Sequence, residues 1–215
     1  MGHMHEYRGV IHVHSTYSDG KGCIERIADA ANRTRADFVI LTDHNTMKAR
    51  EEGHEGRHGR VLLLVGEEIT PDTNADHYLA FGIASAIAPS PDPVKNVEAV
   101  RRQGGIGIIA HPTGGAFVKG EYVEYPWTNW EAGPFSGIEI WNHSYDITGK
   151  SKNIFQLALY ALFPWLSPYG PEEGVLETWD YFVSQRGRRV VAIGGVDAHA
   201  IISDYEEDFV TVSTY

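Results

Sequence analysis

The chain is organised around residues 10–20, which read VIHVHSTYSDG. The short apolar run predicts a β-strand, and alternate side chains of a strand point to the same side. His12 and His14 are therefore expected to project from one face, and Asp19 follows in a Ser-Asp-Gly turn that can reach back over them. Such a set can bind a divalent cation, but two histidines can also simply end a strand. Other motifs along the chain are needed to choose between these interpretations.

Size and charge restrict the class of protein. The chain has 215 residues, of which 42% are hydrophobic, and this suits one domain over residues 1–215 with a substantial core. No apolar stretch reaches the roughly 20 residues that a membrane span needs. The formal net charge of −11 disfavours nucleic acid or an acidic membrane surface as the main partner. We therefore expect a small-molecule partner.

The single cysteine, Cys23, excludes an intramolecular disulfide and agrees with a reducing compartment. Because the N-terminus also lacks a signal-peptide pattern, a cytoplasmic location is expected. Residues 1–4 resemble an expression-tag remnant. The chain stops abruptly after a strand-like alternation at 209–213, which leaves open that the natural protein extends past Tyr215.

Apolar runs that predict strands alternate with helical patterns. The predicted strands cover residues 10–14, 38–41, 61–65, 77–83, 106–110, 137–143 and 190–193. The predicted helices cover residues 22–35, 94–103, 154–165 and 174–186. This alternation indicates parallel β/α units, and in a barrel of such units functional side chains gather at the carboxyl ends of the strands. Residues 113–134, rich in glycine and aromatic residues, predict a long loop that faces the substrate.

Metal-binding side chains recur at these strand ends. The motifs are His12-x-His14 with Ser18-Asp19-Gly20, Thr42-Asp43-His44, Gly66-Glu67-Glu68, His77, Ala110-His111-Pro112 and Gly195-Val196-Asp197-Ala198-His199. Burying so many charged groups unpaired would be costly, and a bound cation explains why they converge. The set resembles the motifs of the PHP (polymerase and histidinol phosphatase) superfamily, and the match extends from Val10 to Ala200, nearly the whole chain.

The resemblance implies an α/β fold, a distorted (β/α)7 TIM-like barrel, with two or three divalent metal ions. Position by position, the first ion would be held by His12, His14, Glu68 and Asp197, another by Asp19, His44 and His199, and a third by His77, His111 and a bridging Glu68. Mixed imidazole and carboxylate ligands suit Mn, Fe or Zn better than Mg or Ca.

Three neighbouring groups need an interpretation. The family glutamate stands two residues after the glycine, which selects Glu68 over Glu67, and adjacent strand residues face opposite ways. Asp43 is interpreted as an orienting or structural group beside His44. His54 and His58 lie in a charged, glycine-broken segment and are interpreted as surface residues.

A metal cluster of this kind predicts hydrolysis of a small-molecule phosphate ester through a metal-bridged hydroxide. Asp197 or His199 could assist proton transfer. His143 could meet the substrate or act as an acid, or it could be a loop histidine paired with Asp146.

Two alternatives stay open. Residues 66–71, 137–142 and 188–195 resemble the branch of the superfamily that includes carbaryl hydrolase, which implies hydrolysis of a carbamate, ester or amide. A polymerase-type accessory module is the second alternative, and the intact ligand set and the acidic charge disfavour it. The full ligand set favours a phosphoesterase, and we expect its substrate to be a small anion.

Overall fold

The computed structural model describes residues 5–118, 121–151, 154–166 and 170–200. The predicted strand at 209–213 lies outside the described residues. The described strands are β1 (Gly9–Val13), β2 (Phe38–Leu41), β3 (Gly56–His58), β4 (Val61–Val65), β5 (Glu67–Ile69), β6 (Tyr78–Phe81), β7 (Ile106–Ile109), β8 (Thr113–Val118), β9 (Glu121–Pro126), β10 (Gly137–Asn142) and β11 (Val191–Gly195). The described α-helices are α1 (Ile24–Arg33), α2 (Lys48–Glu51), α3 (Pro93–Arg102), α4 (His143–Thr148), α5 (Ile154–Leu162) and α6 (Glu173–Asp180).

The strands form two main sheets. The first has the order β1-β2-β4-β3, with β1, β2 and β4 parallel and β3 antiparallel to β4. The second has the order β11-β10-β7-β6-β5, in which β10 is parallel to both of its neighbours and β5, β6 and β7 are antiparallel. The fold is therefore mixed α/β, and strands of both directions carry it.

The expectation of uniformly parallel strands is wrong for the segment that follows the first sheet. A parallel pair needs a crossover of roughly a dozen residues or more, usually with a helix. The chain passes from Ile69 to Tyr78 without a helix, so β5 and β6 pair antiparallel. The predicted loop at 113–134 is also wrong in part, because β8 and β9 form an antiparallel hairpin there.

The two sheets meet at two places through a few backbone hydrogen bonds. Next to β1 the His14 amide donates to the Ala198 carbonyl at 2.9 Å. Where β4 leads into β5, the Gly66 amide donates to the Leu41 carbonyl of β2 at 2.8 Å, and His44 forms an isolated parallel bridge with Glu68. These are local bridges and not continuous ladders, so the predicted closed barrel is not shown. Both junctions coincide with the ligand motifs.

Helices cover the sheets and complete the core. The apolar face of α1, with Ile24 and Ile27, is buried against a core that includes Val39 and Leu63. Burial of each such side chain contributes about 1.5–3 kcal/mol to folding. Helix α3 begins at Asp92, whose carboxylate caps it by accepting a hydrogen bond from the Val94 amide at 3.0 Å.

The two C-terminal helices lie where they were predicted, but α5 ends earlier and the geometry of α6 changes along its length. Helix α5 ends at Leu162, and residues Pro164–Leu166 form a 3-10 turn because a proline lacks the amide that an α-helix needs. Helix α6 continues as a π-helical turn over Tyr181–Gln185. Helix α5 leaves apolar side chains exposed. In the described part of the chain, no helix combines the length and the apolar character that crossing a membrane requires.

Candidate metal centre

The first strand places two histidines in the centre through a bulge. Strand β1 pairs with β2 regularly up to Ile11 and again at Val13, so His12 is an extra residue, and its φ of 65° is left-handed. A bulge redirects a side chain at the end of a strand. His12 and His14 do reach the same cluster, with ring centroids 5.2 Å apart. The simple strand alternation predicted for them is wrong, because one of the two lies in the bulge.

Glu68 lies at the middle of the cluster. It belongs to the short strand β5, and its side chain is almost fully enclosed. Its two carboxylate oxygens face ring nitrogens from other strand ends. At 2.9–3.3 Å, these rings are His12, His14, His44, His77 and His111. One carboxylate therefore joins five imidazoles that lie far apart in the sequence.

Two further carboxylates face the same rings. Oδ1 of Asp197 lies 3.2 Å from Nε2 of His14 and 3.4 Å from Nε2 of His12. Oδ1 of Asp19 lies 3.3 Å from Nε2 of His199 and 3.5 Å from Nε2 of His44. The structure thus brings the nine predicted ligand side chains into one cluster.

Three groups of ligand atoms lie close enough together to hold an ion. They are His14, Asp19, His44 and His199; His12, Glu68 and His111; and His12, His14 and Asp197. His77 belongs to none of them, although its Nδ1 lies 2.9 Å from Oε1 of Glu68. His143 is half-buried at the start of α4 and belongs to no group. Because a neutral imidazole presents one lone pair, a carboxylate and not a shared histidine would connect adjacent ions, and Glu68 is placed to do so.

Unpaired polar atoms support metal binding on the geometry alone. Both ring nitrogens of His14, Nε2 of His77 and Nδ1 of His111 are buried without a hydrogen-bond partner. A buried polar atom that stays unpaired costs about 1–3 kcal/mol. A cation beside these nitrogens would satisfy those that face the carboxylates. The donor set of imidazoles and carboxylates fits Mn, Fe or Zn.

The buried carboxylates control the protonation of the inner imidazoles. Burial by itself would lower the pKa of His12, but Glu139, Asp197 and Glu68 raise it well above the ordinary value. Burial would also lower the pKa of His111, but the hydrogen bond and the charge of Glu68 raise it above the ordinary value. Burial would raise the pKa values of Glu68 and Asp197, and the facing imidazoles, His12 first, lower both well below normal. Without a cation, protons on the imidazoles balance these carboxylates.

The outer part of the cluster shows the same compensation. Burial would lower the pKa of His199, but its hydrogen bond with Asp19 and the charge of Asp197 raise it to about 9. Burial would raise the pKa of Asp19, but His199 lowers it to about 2. For His44 burial prevails, and its pKa is lowered.

Three residues around the ligands were not predicted. On β10, the buried Glu139 lies with Oε1 2.8 Å from Nδ1 of His12. Asn142 donates from Nδ2 to Oε2 of Glu139 at 3.0 Å and to Oδ2 of Asp197 at 3.3 Å. Oγ1 of Thr70 lies 2.7 Å from Nδ1 of His44. A glutamate inside the apolar run 137–141 was the available signal, since a buried carboxylate needs partners.

The two neighbouring carboxylates that were not predicted as ligands, Asp43 and Glu67, have other contacts. Asp43 accepts hydrogen bonds at 2.7 Å from the amide and the hydroxyl of Ser15 and from the hydroxyl of Ser18, as expected of an orienting group. Glu67 faces away from the cluster and accepts a hydrogen bond from the Ile87 amide at 2.7 Å. Burial raises the pKa of Glu67 to about 7.

The two histidines of the charged segment also lie apart from the cluster. Nε2 of His58 lies 2.7 Å from the carbonyl of His54, and the His54 ring lies 6.0 Å from that of Tyr17. Neither belongs to a group of ligand atoms.

Comparison with known proteins shows the fold. The sequence matches no protein-family model and no curated protein. A two-domain protein from Bacteroides vulgatus, which contains a predicted PHP-like metal-dependent phosphoesterase, is 18% identical with a TM-score of 0.53, and the match covers 90% of this chain and 52% of that one. The fold of this chain is similar to that of the matched part of that protein. This chain thus spans about half the length of the Bacteroides protein.

Two further solved structures have a similar fold. One, from Bifidobacterium adolescentis, is named as a candidate metal-dependent phosphoesterase, with 15% identity, a TM-score of 0.57 and coverage of 89% of this chain and 88% of that one. The other is an amidohydrolase from Chromobacterium violaceum with bound sulfate and no metal, with 16% identity, a TM-score of 0.50 and coverage of 89% and 87%.

Proposed function

We propose that this chain is a metal-dependent phosphoesterase that hydrolyses a small phosphate ester. One observation supports this most directly: Glu68 contacts five imidazoles, with Oε2 facing His12, His14 and His44 and Oε1 facing His77 and His111. A carboxylate between two sets of imidazoles would hold cations side by side, which suits the several oxygens of a phosphoryl group.

The proposed ions have separate histidine ligands, and two of the ions share Glu68. We propose one ion on His12, His14, Glu68 and Asp197, another on Asp19, His44 and His199, and a third on Glu68, His77 and His111. When bound, such cations lower the pKa of water and offset the negative charge that develops on a phosphoryl group.

Residues at the open edge of the cluster would handle protons. The Asp197 and His199 side chains are 19% and 17% exposed, in contrast to the enclosed His12. We propose that one of them assists proton transfer during hydrolysis. His143 follows Asn142 directly, at the end of a strand that borders the cluster, and we propose that it contacts the substrate and not a metal.

A pocket beside the cluster supports a small substrate. His111 and Asn142 line the side of the pocket that adjoins the cluster. The pocket has an empty volume of about 290 Å³, part of which is open to solvent. Its apolar lining residues include Pro112, Ile140, Trp141 and Val175, and its polar ones include Glu139, Tyr145, Lys150 and Glu172. Apolar walls combined with polar groups are typical of pockets for organic ligands.

The pocket lining includes one lysine, Lys150, which we propose binds an acidic group of the substrate although Glu139 and Glu172 also line the pocket. Nζ of Lys150 donates to the Gly170 carbonyl at 2.8 Å, which holds the amine at the pocket wall. The acidic net charge of the chain supports a partner other than nucleic acid. The single cysteine supports our proposal of a cytoplasmic location.

Hydrolysis of a carbamate, ester or amide is the second candidate. One of the structures that share the fold is an amidohydrolase, and three segments of this chain resemble the carbaryl-hydrolase branch. The same ligand set could activate water toward a carbonyl carbon.

A substrate panel tests the proposal. Protein loaded with Mn²⁺ is incubated with phosphomonoesters, phosphodiesters, aryl carbamates and N-acyl amides, and Glu68→Gln purified in the same way is the control. We expect phosphate release by the parent that chelation abolishes. Turnover of carbamates or amides alone would favour the second candidate. A protein that binds its metals and hydrolyses none of the panel would favour an accessory module.

A further inference from the structure

A buried carboxylate outside the predicted ligand set connects two of its members. Glu139 is 1% exposed, on β10. Its Oε1 lies 2.8 Å from Nδ1 of His12, and its Oε2 accepts from the His111 amide at 2.9 Å and from Nδ2 of Asn142 at 3.0 Å. Each oxygen is paired, and the partners belong to three different segments of the chain.

We propose that Glu139 and Asn142 act as a positioning pair that determines which atoms of His12, His111 and Asp197 face the cations. The inference rests on the proposed function for its metal ions, but it concerns residues that the predicted ligand set does not contain. Neither member of the pair is required to touch an ion or the substrate.

For His12 the contact determines the tautomer. A neutral imidazole carries its proton on one nitrogen and presents a lone pair on the other. With Glu139 accepting at Nδ1, the proton is held there and the lone pair stays on Nε2, the nitrogen that faces Glu68 and Asp197. A carboxylate that orients a metal-bound histidine in this way also makes the imidazole a stronger ligand.

For Asp197 the pair determines which oxygen is available. Nδ2 of Asn142 lies 3.3 Å from Oδ2 of Asp197, which leaves Oδ1 to face the rings of His12 and His14. The amide itself cannot turn over easily, because Oδ1 of Asn142 accepts from the Tyr145 amide at 3.0 Å and caps α4. The start of a helix thus orients a proposed ligand on another strand.

For His111 the contact supports an unusual backbone. Its φ of 22° is positive, a conformation that L-residues seldom adopt. The hydrogen bond from its amide to Oε2 of Glu139 stabilises this turn, which precedes Pro112 and directs the ring toward Glu68.

The fold also leaves room for the carboxylate. A Cβ atom added to Gly195 would lie 1.8 Å from Oε1 of Glu139 and 3.0 Å from Cβ of His12. Any larger residue at this position of β11 would displace the carboxylate from His12. The last glycine of β11 and Glu139 therefore depend on each other.

Glu139→Gln is the sharpest test because it keeps size and shape. A glutamine has one acceptor oxygen and one NH₂ group, whereas Glu139 receives bonds on both oxygens. If the NH₂ group faces His12, it donates to Nδ1 and moves the imidazole proton to Nε2, where the metal needs a lone pair. If it faces the other way, it places a donor against two other donors, the His111 amide and Nδ2 of Asn142.

The readout is binding of Mn²⁺ alone, measured by chelator competition on metal-free protein whose fold is checked by circular dichroism. We expect Glu139→Gln to lower the Mn²⁺ affinity of the positions next to His12 and His111 by about 10–100-fold. The affinity of the position at Asp19 and His199 should change by less than about threefold. Anomalous diffraction of crystals with limiting Mn²⁺ identifies the ion that is lost.

Two further variants and one spectrum make the test specific. Glu67→Gln changes another buried glutamate that contacts no ligand, and it should bind Mn²⁺ like the parent. Asn142→Ser keeps an oxygen that can cap α4 but is too short to reach Asp197, so it should also weaken binding of the inner ions. It provides the test if Glu139→Gln fails to fold. In Zn²⁺-loaded parent protein, ¹H–¹⁵N spectra of the imidazoles should show the His12 proton on Nδ1.

Parental Mn²⁺ affinity in both Glu139→Gln and Asn142→Ser would overturn the inference. An equal loss in Glu67→Gln, or an equal loss at all ions, would overturn it too, because it would indicate a general effect on stability. All these measurements are of binding, so a failure of the proposed phosphoesterase activity would leave their outcome unchanged.

Discussion

The inner and outer parts of the metal centre are built differently. The inner ligands His12, Glu68 and His111 are buried, and Glu139 holds two of them from behind. The outer ligands Asp19 and His44 have side chains that are 59% and 25% exposed, and they come from turns after the strands. The inner site should therefore depend on protein contacts, and the outer site should depend more on solvent, salt and pH.

The largest effect should come from the residue that both parts contact. Glu68→Gln removes the charge that faces five imidazoles. We expect loss of at least one bound metal ion and a fall in phosphatase kcat/KM of about a thousandfold or more, equivalent to about 4 kcal/mol. Elemental analysis and initial rates measure both.

Glu67→Gln is the matched control for this variant, because its side chain faces the opposite side of the same strand. It should keep the metal content and the rate of the parent. If Glu67→Gln lost the metals and Glu68→Gln kept them, the choice between the two glutamates would be wrong.

A pair of variants compares the inner and outer ligands directly. His111→Ala should remove one inner ion, since no other described side chain can replace a ligand enclosed at 7% exposure. Asp19→Asn should weaken the outer ion by about tenfold, because water can replace an exposed carboxylate. Metal-to-protein ratios across a Mn²⁺ titration measure the two effects, and a His111→Ala protein with its full metal content would contradict the inner role.

The affinity of the outer ion should depend on pH up to an unusually high value. A histidine can bind a metal ion only in its neutral form. Without metal, Asp19 and Asp197 raise the pKa of His199 to about 9. At pH 7 the ion must therefore displace a proton, so affinity should rise about tenfold per pH unit until about pH 9 and then level off. Chelator competition from pH 6.5 to 9.5 measures this, and a plateau already at pH 7 would refute it.

The smallest effect is expected away from the centre. His54 contacts Tyr17 and His58 and belongs to no group of ligand atoms. His54→Ala should change neither the metal content nor, within about twofold, the rate of hydrolysis. A large loss of rate would show that the charged segment takes part in the function.

Prediction from sequence came closest where the signal is local. The side chains predicted as ligands lie in one cluster, and Glu68, which the family resemblance selected over Glu67, faces it. That these side chains bind metal ions stays a prediction, and Asp43 bonds to Ser15 and Ser18. The antiparallel strands and the hairpin at 113–126 were missed, because strand direction depends on connection length and pairing that a periodic pattern does not record.

By itself, the sequence determined which donor groups this protein has and that they follow apolar strands, because donor chemistry and periodicity are properties of the residues. Tertiary structure alone decided that His12 sits in a bulge and that Glu139, 127 residues further along the chain, holds its ring. Such contacts join distant segments, and their geometry is set by how the two sheets meet and how much space Gly195 leaves between them.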